Sequence, residues 1–128
     1  MDNLNILGPI WGEFSIREAL ISRASASCSK VKQDTIGEYK RHHQTVWPEM
    51  LDALRRSGWH NYSLFMGEDG LLFGSFEADE SFQASLDGMA EEEANRRWQE
   101  FMAPFFEIPP GARPDQMMVE LEEIFHLD

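Results

Sequence analysis

The residues best suited to chemistry in this chain are a histidine set among aromatic rings. His43 lies four positions after Tyr39 and four before Trp47, so in a helix the three share one face. An imidazole near its ordinary titration point both accepts and donates protons at neutral pH, which suits general acid/base work on a small molecule. A histidine on such a stripe is equally at home as a buried residue donating to a backbone carbonyl, and spacing alone does not choose between the two. The adjacent His42 points about 100° away on a helix and does not look into the same cavity. His60 and Tyr62 fall on one face of an alternating segment and could add a second donor–acceptor pair to that cavity, with Trp47 as part of its wall.

Other chemistries are poorly served. Two zinc ligands on one helix normally stand four apart, whereas His42 and His43 are adjacent, so no metal is expected. The chain has no phosphate-cradling loop, dinucleotide fingerprint or nucleophile elbow, which favours a cofactor-free reaction on a small neutral substrate. The lone Cys28 has no intrachain disulfide partner and is expected to pack as a small residue.

The elements that must position these groups follow from periodicity and breakers. Ser22 to Lys32 alternates weakly, with Ala24, Ala26, Cys28 and Lys30 on one side and Ser25, Ser27, Ser29 and Val31 on the other. It reads as a strand whose small residues allow something bulky to approach. Asp34 is suited to cap a helix running from Thr35 to about Ser57, stopped at Gly58. Pro48 has no amide hydrogen and clashes with the carbonyl four residues back, so this helix should kink or break near Thr45 to Trp47, on the turn that carries His43. Trp59 to Met66 then alternates His60, Tyr62, Leu64 and Met66 against Trp59, Asn61, Ser63 and Phe65. Gly67 to Gly70 is turn chemistry, and Leu71 to Glu77 is the returning strand of a hairpin. A short helix capped by Asp79 or Ser81 reaches Met89, a second covers Glu91 to Met102, and Pro104 ends it. Phe105 to Gln116 is a loop long enough to be a lid, a pocket wall or a dimer contact. Met118 to Phe125 alternates as a final strand.

Strand, helix, strand, strand, helices, strand is the ferredoxin-like order, an α+β domain with helices on one face of an antiparallel sheet. Residues 23–128 form this domain and residues 1–22 precede it as an extension. The sheet's second face needs a cover, and rings such as Trp59 and Phe65, if they lie there, favour a homodimer or an enclosed ligand. A net charge of −12 with no basic stripe argues against nucleic acid. No run approaches the ~20 apolar residues of a membrane span. The N-terminus has no basic region leading into an apolar one, so a cytoplasmic protein is expected.

Tyr39-Lys40-Arg41-His42-His43, Val46-Trp47-Pro48-Glu49, His60-Asn61-Tyr62-Ser63-Leu64 and Asn95-Arg96-Arg97-Trp98, in that order, resemble the L-rhamnose mutarotase family over roughly Ala24 to Leu127. The resemblance implies a dimeric ferredoxin-like α/β-barrel domain that binds a pyranose, exchanges its α and β anomers and needs no cofactor. It puts the family's proton-donating histidine at His43, its substrate-binding tyrosines at Tyr39 and Tyr62, and its pocket tryptophan at Trp98. The chain departs from the family in its serine-rich first strand, in Gln99 where a second aromatic is frequent, and in its N-terminal residues. The first two departures are expected to widen the cavity or change its polarity. The alternatives from the same dimeric class are a cofactor-independent monooxygenase acting on an aromatic substrate and a haem-handling relative. A further alternative is a module that binds a sugar without turning it over.

Overall fold

A computed structural model describes residues 22–128, so the N-terminal extension lies, but for Ser22, outside the described residues. Strands β1 (Ser22–Lys30), β2 (Trp59–Met66), β3 (Leu71–Ala78) and β4 (Val119–Leu121) form one antiparallel sheet in the order β2-β3-β1-β4. Four helices, α1 (Ile36–His42), α2 (Pro48–Arg56), α3 (Phe82–Ala90) and α4 (Glu93–Met102), pack on one face. This is the ferredoxin-like α+β arrangement expected from the element order.

Pro48 breaks the long apolar stripe outright. α1 stops at His42, a single 3-10 turn carries His43 to Thr45, and the chain runs extended through Val46 and Trp47 before Pro48 opens α2 as its first residue. The Trp47 carbonyl then accepts from the Met50 and Leu51 amides, restarting the helix without the proline's missing hydrogen. Asp34 is not the cap. It sits inside a 3-10 turn, Gln33–Thr35, and the Thr35 hydroxyl donates back to the Lys32 and Phe105 carbonyls. Ser81 does cap α3, accepting from the Ala84 amide at 3.0 Å.

Alternation misplaces two strands because each contains a bulge. In β2 the register passes from His60↔Glu77 to Ser63↔Ser75, so Asn61 and Tyr62 together oppose Phe76. Asn61 takes up the extra residue in the left-handed region at φ 48°, a conformation asparagine tolerates better than most. Trp59, Tyr62, Leu64 and Met66 consequently share the helix-covered face, and His60 is turned out with Ser63 and Phe65. Trp59 is buried, stacked 3.9 Å from Phe76, with its indole donating to the Ser85 carbonyl; it is not on the open face. In β1 a second shift lies between Ser27 and Lys30. It turns Val31, expected beside the serines, into a fully buried core residue.

Ser25 and Ser27 therefore face away from the cavity. Ser25 pairs with Ser75 and Leu121, and Ser27 pairs with Phe73 and Val119, on the side of the sheet opposite the helices. The expectation that they open the cavity is corrected: Ala24, Ala26 and Cys28 form the inner side of β1. The closing strand is also shorter than its alternation suggests, with β4 ending at Leu121 and the tail beyond it exposed.

Candidate active site

Between the helices and the inner face of the sheet lies a cavity of about 420 Å³. Its aromatic and titratable lining comes from both halves of the sequence and includes Cys28 from β1, Tyr39 and His43 from α1 and its end, Trp59 and Tyr62 from β2, and Trp98 from α4. Most of the remaining wall is methionine and leucine, including Met50, Leu54, Leu86, Met89 and Met102.

His43 owes its pose to the helix break. Its Nδ1 lies 3.0 Å from the Tyr39 carbonyl. A carbonyl only accepts, so Nδ1 carries the hydrogen and Nε2 is left with its lone pair. The imidazole packs 4.3 Å from the Tyr39 ring and edge-on to Trp98 at 5.4 Å. Burial lowers its pKa below the ordinary 6.5; the bond to the Tyr39 carbonyl opposes that shift and neighbouring His42 adds to it. At neutral pH the ring is thus a base with one free nitrogen in a largely apolar cavity. His43 donates to a backbone carbonyl, as one of the two sequence alternatives has it, and that bond fixes the tautomer that leaves Nε2 without a partner among the described residues.

Tyr39 and Tyr62 reach the same cavity from opposite walls. Burial raises both phenols' pKa values, so they remain protonated donors. Neither hydroxyl has a hydrogen-bond partner among the described residues. Gly74, opposite Leu64 in the sheet, leaves room for the Tyr62 ring, since a Cβ there would lie 3.3 Å from Tyr62 Cε1. Trp98 is buried and forms a flat apolar wall. Burial pushes the Cys28 thiol up to about 11, which leaves it a weak nucleophile at neutral pH.

Two of the pocket candidates fall outside. Trp47 packs 5.0 Å from Trp98 and 5.6 Å from Phe101, so it braces the pocket tryptophan from behind without lining the cavity. His60, re-aimed by the β2 bulge, is exposed and bonds Asp79 Oδ1 at 2.8 Å. His42 packs on Phe101 and Phe105 and stands 3.5 Å from Glu38, away from the cavity.

Three polar residues belong to the cavity without having been assigned a role from sequence: Asn95, Gln99 and Asp115. Asn95 and Gln99 are one turn apart on α4, a spacing visible in the sequence. Asp115 arrives on the long loop, which serves as a pocket wall through Phe106, Pro114 and Asp115. Gln99 is buried at 8% exposure, so this departure does give one end of the cavity a polar surface. Among the described residues, no group of three or more His, Cys, Asp or Glu is placed to hold a metal ion.

Comparison with known proteins agrees with the motif reading. The family model of L-rhamnose mutarotase matches residues 24–127. This chain belongs to the L-rhamnose mutarotase family. The L-rhamnose mutarotase of Bacillus subtilis (strain 168) is 36% identical over 107 residues, covering 83% of this chain and 99% of that protein. That of Listeria monocytogenes serovar 1/2a (strain ATCC BAA-679 / EGD-e) is 38% identical over 91 residues, covering 70% and 84%. Among solved structures, the L-rhamnose mutarotase FA22100 from Formosa agariphila superposes with a TM-score of 0.66 at 26% identity, covering 84% of this chain and 99% of that one. The resemblance drawn from the Tyr39–His43, Trp47-Pro48, Asn61-Tyr62 and Arg97-Trp98 motifs is thereby borne out, as is the ferredoxin-like α+β fold.

Proposed function

We propose that this chain is an isomerase that interconverts the α and β anomers of L-rhamnose or a closely related aldopyranose, with His43 moving the proton. The observation that carries the reading is a cavity in which a neutral imidazole nitrogen and two phenols, without partners among the described residues, stand among largely apolar walls. Buried donors are rarely left without acceptors, and a polyhydroxylated ring supplies them.

Anomer exchange requires a proton to leave the anomeric hydroxyl and one to reach the ring oxygen. Both oxygens are bonded to the same carbon, so one nitrogen serves them in turn. Nε2 of His43 takes the O1 proton as the C1–O5 bond breaks, the bonding pair goes to O5, and the imidazolium delivers its proton there. The open aldehyde rotates about C1–C2 and the steps reverse on the other carbonyl face. Tyr39 and Tyr62 hold sugar oxygens, and the Trp98 face with the methionine and leucine wall takes the 6-methyl group and apolar ring face.

Saturation-transfer NMR tests the reading. Irradiating one anomeric proton of L-rhamnose should diminish the other in proportion to added protein, and this should persist in EDTA. No acceleration over buffer for any aldose would sink the assignment. Binding without acceleration would leave the non-catalytic sugar module.

The role of Tyr62 has its own test. Tyr62→Phe should raise KM several-fold, a loss of ~0.5–1.5 kcal/mol from one hydrogen bond, with an unaltered melting curve. Unchanged kinetics across a full titration would put the hydroxyl outside the binding site.

We further infer a homodimer, working in the cytoplasm where Cys28 stays reduced. Its support is the open face of the sheet. Phe65 is 60% exposed beside Phe73, and Val119 is 59% exposed across Ser27. The serine rows between these side chains leave the face low enough for a second copy to lie flat against it. Sedimentation should give twice the chain mass at micromolar concentration, and Phe65→Glu should halve it. A wild-type monomer overturns the dimer.

A further inference from the structure

At the polar end of the cavity a Gln99 amide hydrogen and an Asp115 acceptor site are left without a partner among the described residues. Gln99 spends one amide hydrogen on Asn95 Oδ1 at 3.0 Å, and its Oε1 accepts the Asp115 amide at 3.1 Å. Its second amide hydrogen has no acceptor among the described residues. Asp115 receives Arg113 Nε at 3.2 Å and Nη2 at 2.8 Å, and Asn95 Nδ2 at 3.1 Å. A carboxylate offers about four acceptor sites, so one remains open. Asn95, at 1% exposure, has both amide hydrogens spent, since the other goes to the Met89 carbonyl at 3.1 Å.

We propose that Asp115 and Gln99 form a hydroxyl clasp that sets the specificity and orientation of the sugar: the carboxylate accepts from one secondary ring hydroxyl while the Gln99 amide donates to it. This rests on the sugar-binding reading above and extends it to residues to which neither the motifs nor the comparisons assign a role. Asn95 and Arg113 are positioning residues, because their side chains bond the two groups: Arg113 and the Asn95 amide hold the Asp115 carboxylate, and Asn95 Oδ1 accepts from Gln99. A methyl group at this end would leave both a donor and a carboxylate unpaired, so a hydroxyl belongs here and the 6-methyl of a deoxy sugar lies along the methionine and leucine wall. Pyranoses lacking the clasped hydroxyl are discriminated against strongly, as they are wherever a buried polar pair is built to read one group.

The test compares L-rhamnose with its three analogues that lack the 2-, 3- or 4-hydroxyl, on wild type, Gln99→Met and Asp115→Asn. Gln99→Met is expected to raise KM for L-rhamnose about tenfold with kcat within about twofold, the pattern of uniform binding removed. One deoxy analogue should bind the wild type correspondingly worse and be indifferent to Gln99→Met. Because that substitution also takes a donor from Asn95, Asp115→Asn, which preserves the side chain's shape, must single out the same analogue. Equal losses on all four sugars, or none, overturn the clasp. If the wild type accelerates no anomer exchange, the mutarotase reading fails by itself, and calorimetric binding of the same four sugars decides the clasp independently.

Discussion

His43→Asn should cut anomer exchange by ~10²-fold or more while sugar binding is largely kept, because a proton transfer confined to the transition state is lost. His42→Ala should stay within a few-fold, since His42 packs outside the cavity on Phe101 and Phe105. Saturation-transfer NMR on folded variants measures both. If His42→Ala is the one that abolishes exchange, the proposed acid/base is the wrong histidine. The pH dependence follows from the direction of the shift. His43's folded pKa lies below 6.5, so its basic form persists to lower pH than a free imidazole's, and the acid limb of kcat/KM should have its midpoint below 6.5. The same shift links to stability. Below 6.5 the unfolded chain takes up the proton before the folded one does, so stability present above that value is lost as pH falls through the folded pKa. His43→Asn should flatten that part of the stability profile.

Gly70→Ala is expected to lower stability by ~3 kcal/mol, which for a domain of this size is a fall in melting temperature of roughly 10 °C. Gly70 ends the β2–β3 turn at φ +89° and is buried, with its carbonyl accepting the Val31 amide at 2.8 Å. An added Cβ would run into the Val31 carbonyl oxygen, a backbone atom with no freedom to move aside. Gly37→Ala is the contrasting change: it sits in α1 with open space around it and should stabilise the protein by up to ~1 kcal/mol. Thermal melts of the two variants should shift in opposite directions. A Gly70→Ala protein that melts with the wild type would mean that the turn relaxes freely, and that its docking on Val31 contributes little.

Spacing along the chain is enough to place Tyr39 and His43 on one face, because both lie within one helical stretch and the period of a helix is fixed. It is enough to break that helix before Pro48, since a missing amide hydrogen acts locally. The Trp59–Met66 and Leu71–Ala78 hairpin is legible for the same reason, with a short turn between two apolar runs. The orientation of His60 is not. Alternation assumes one residue opposite one residue, and Asn61 adds an extra residue to β2 whose effect appears only when β3 is paired against it. The β1 bulge does the same to Val31, and it is the paired sheet that sends Ser25 and Ser27 to the outer face. Asp115 is decided later still. It belongs to the cavity because Arg113, Asn95 and Gln99, the last two on α4, bind it from up to twenty positions away, and no local period encodes such a closure.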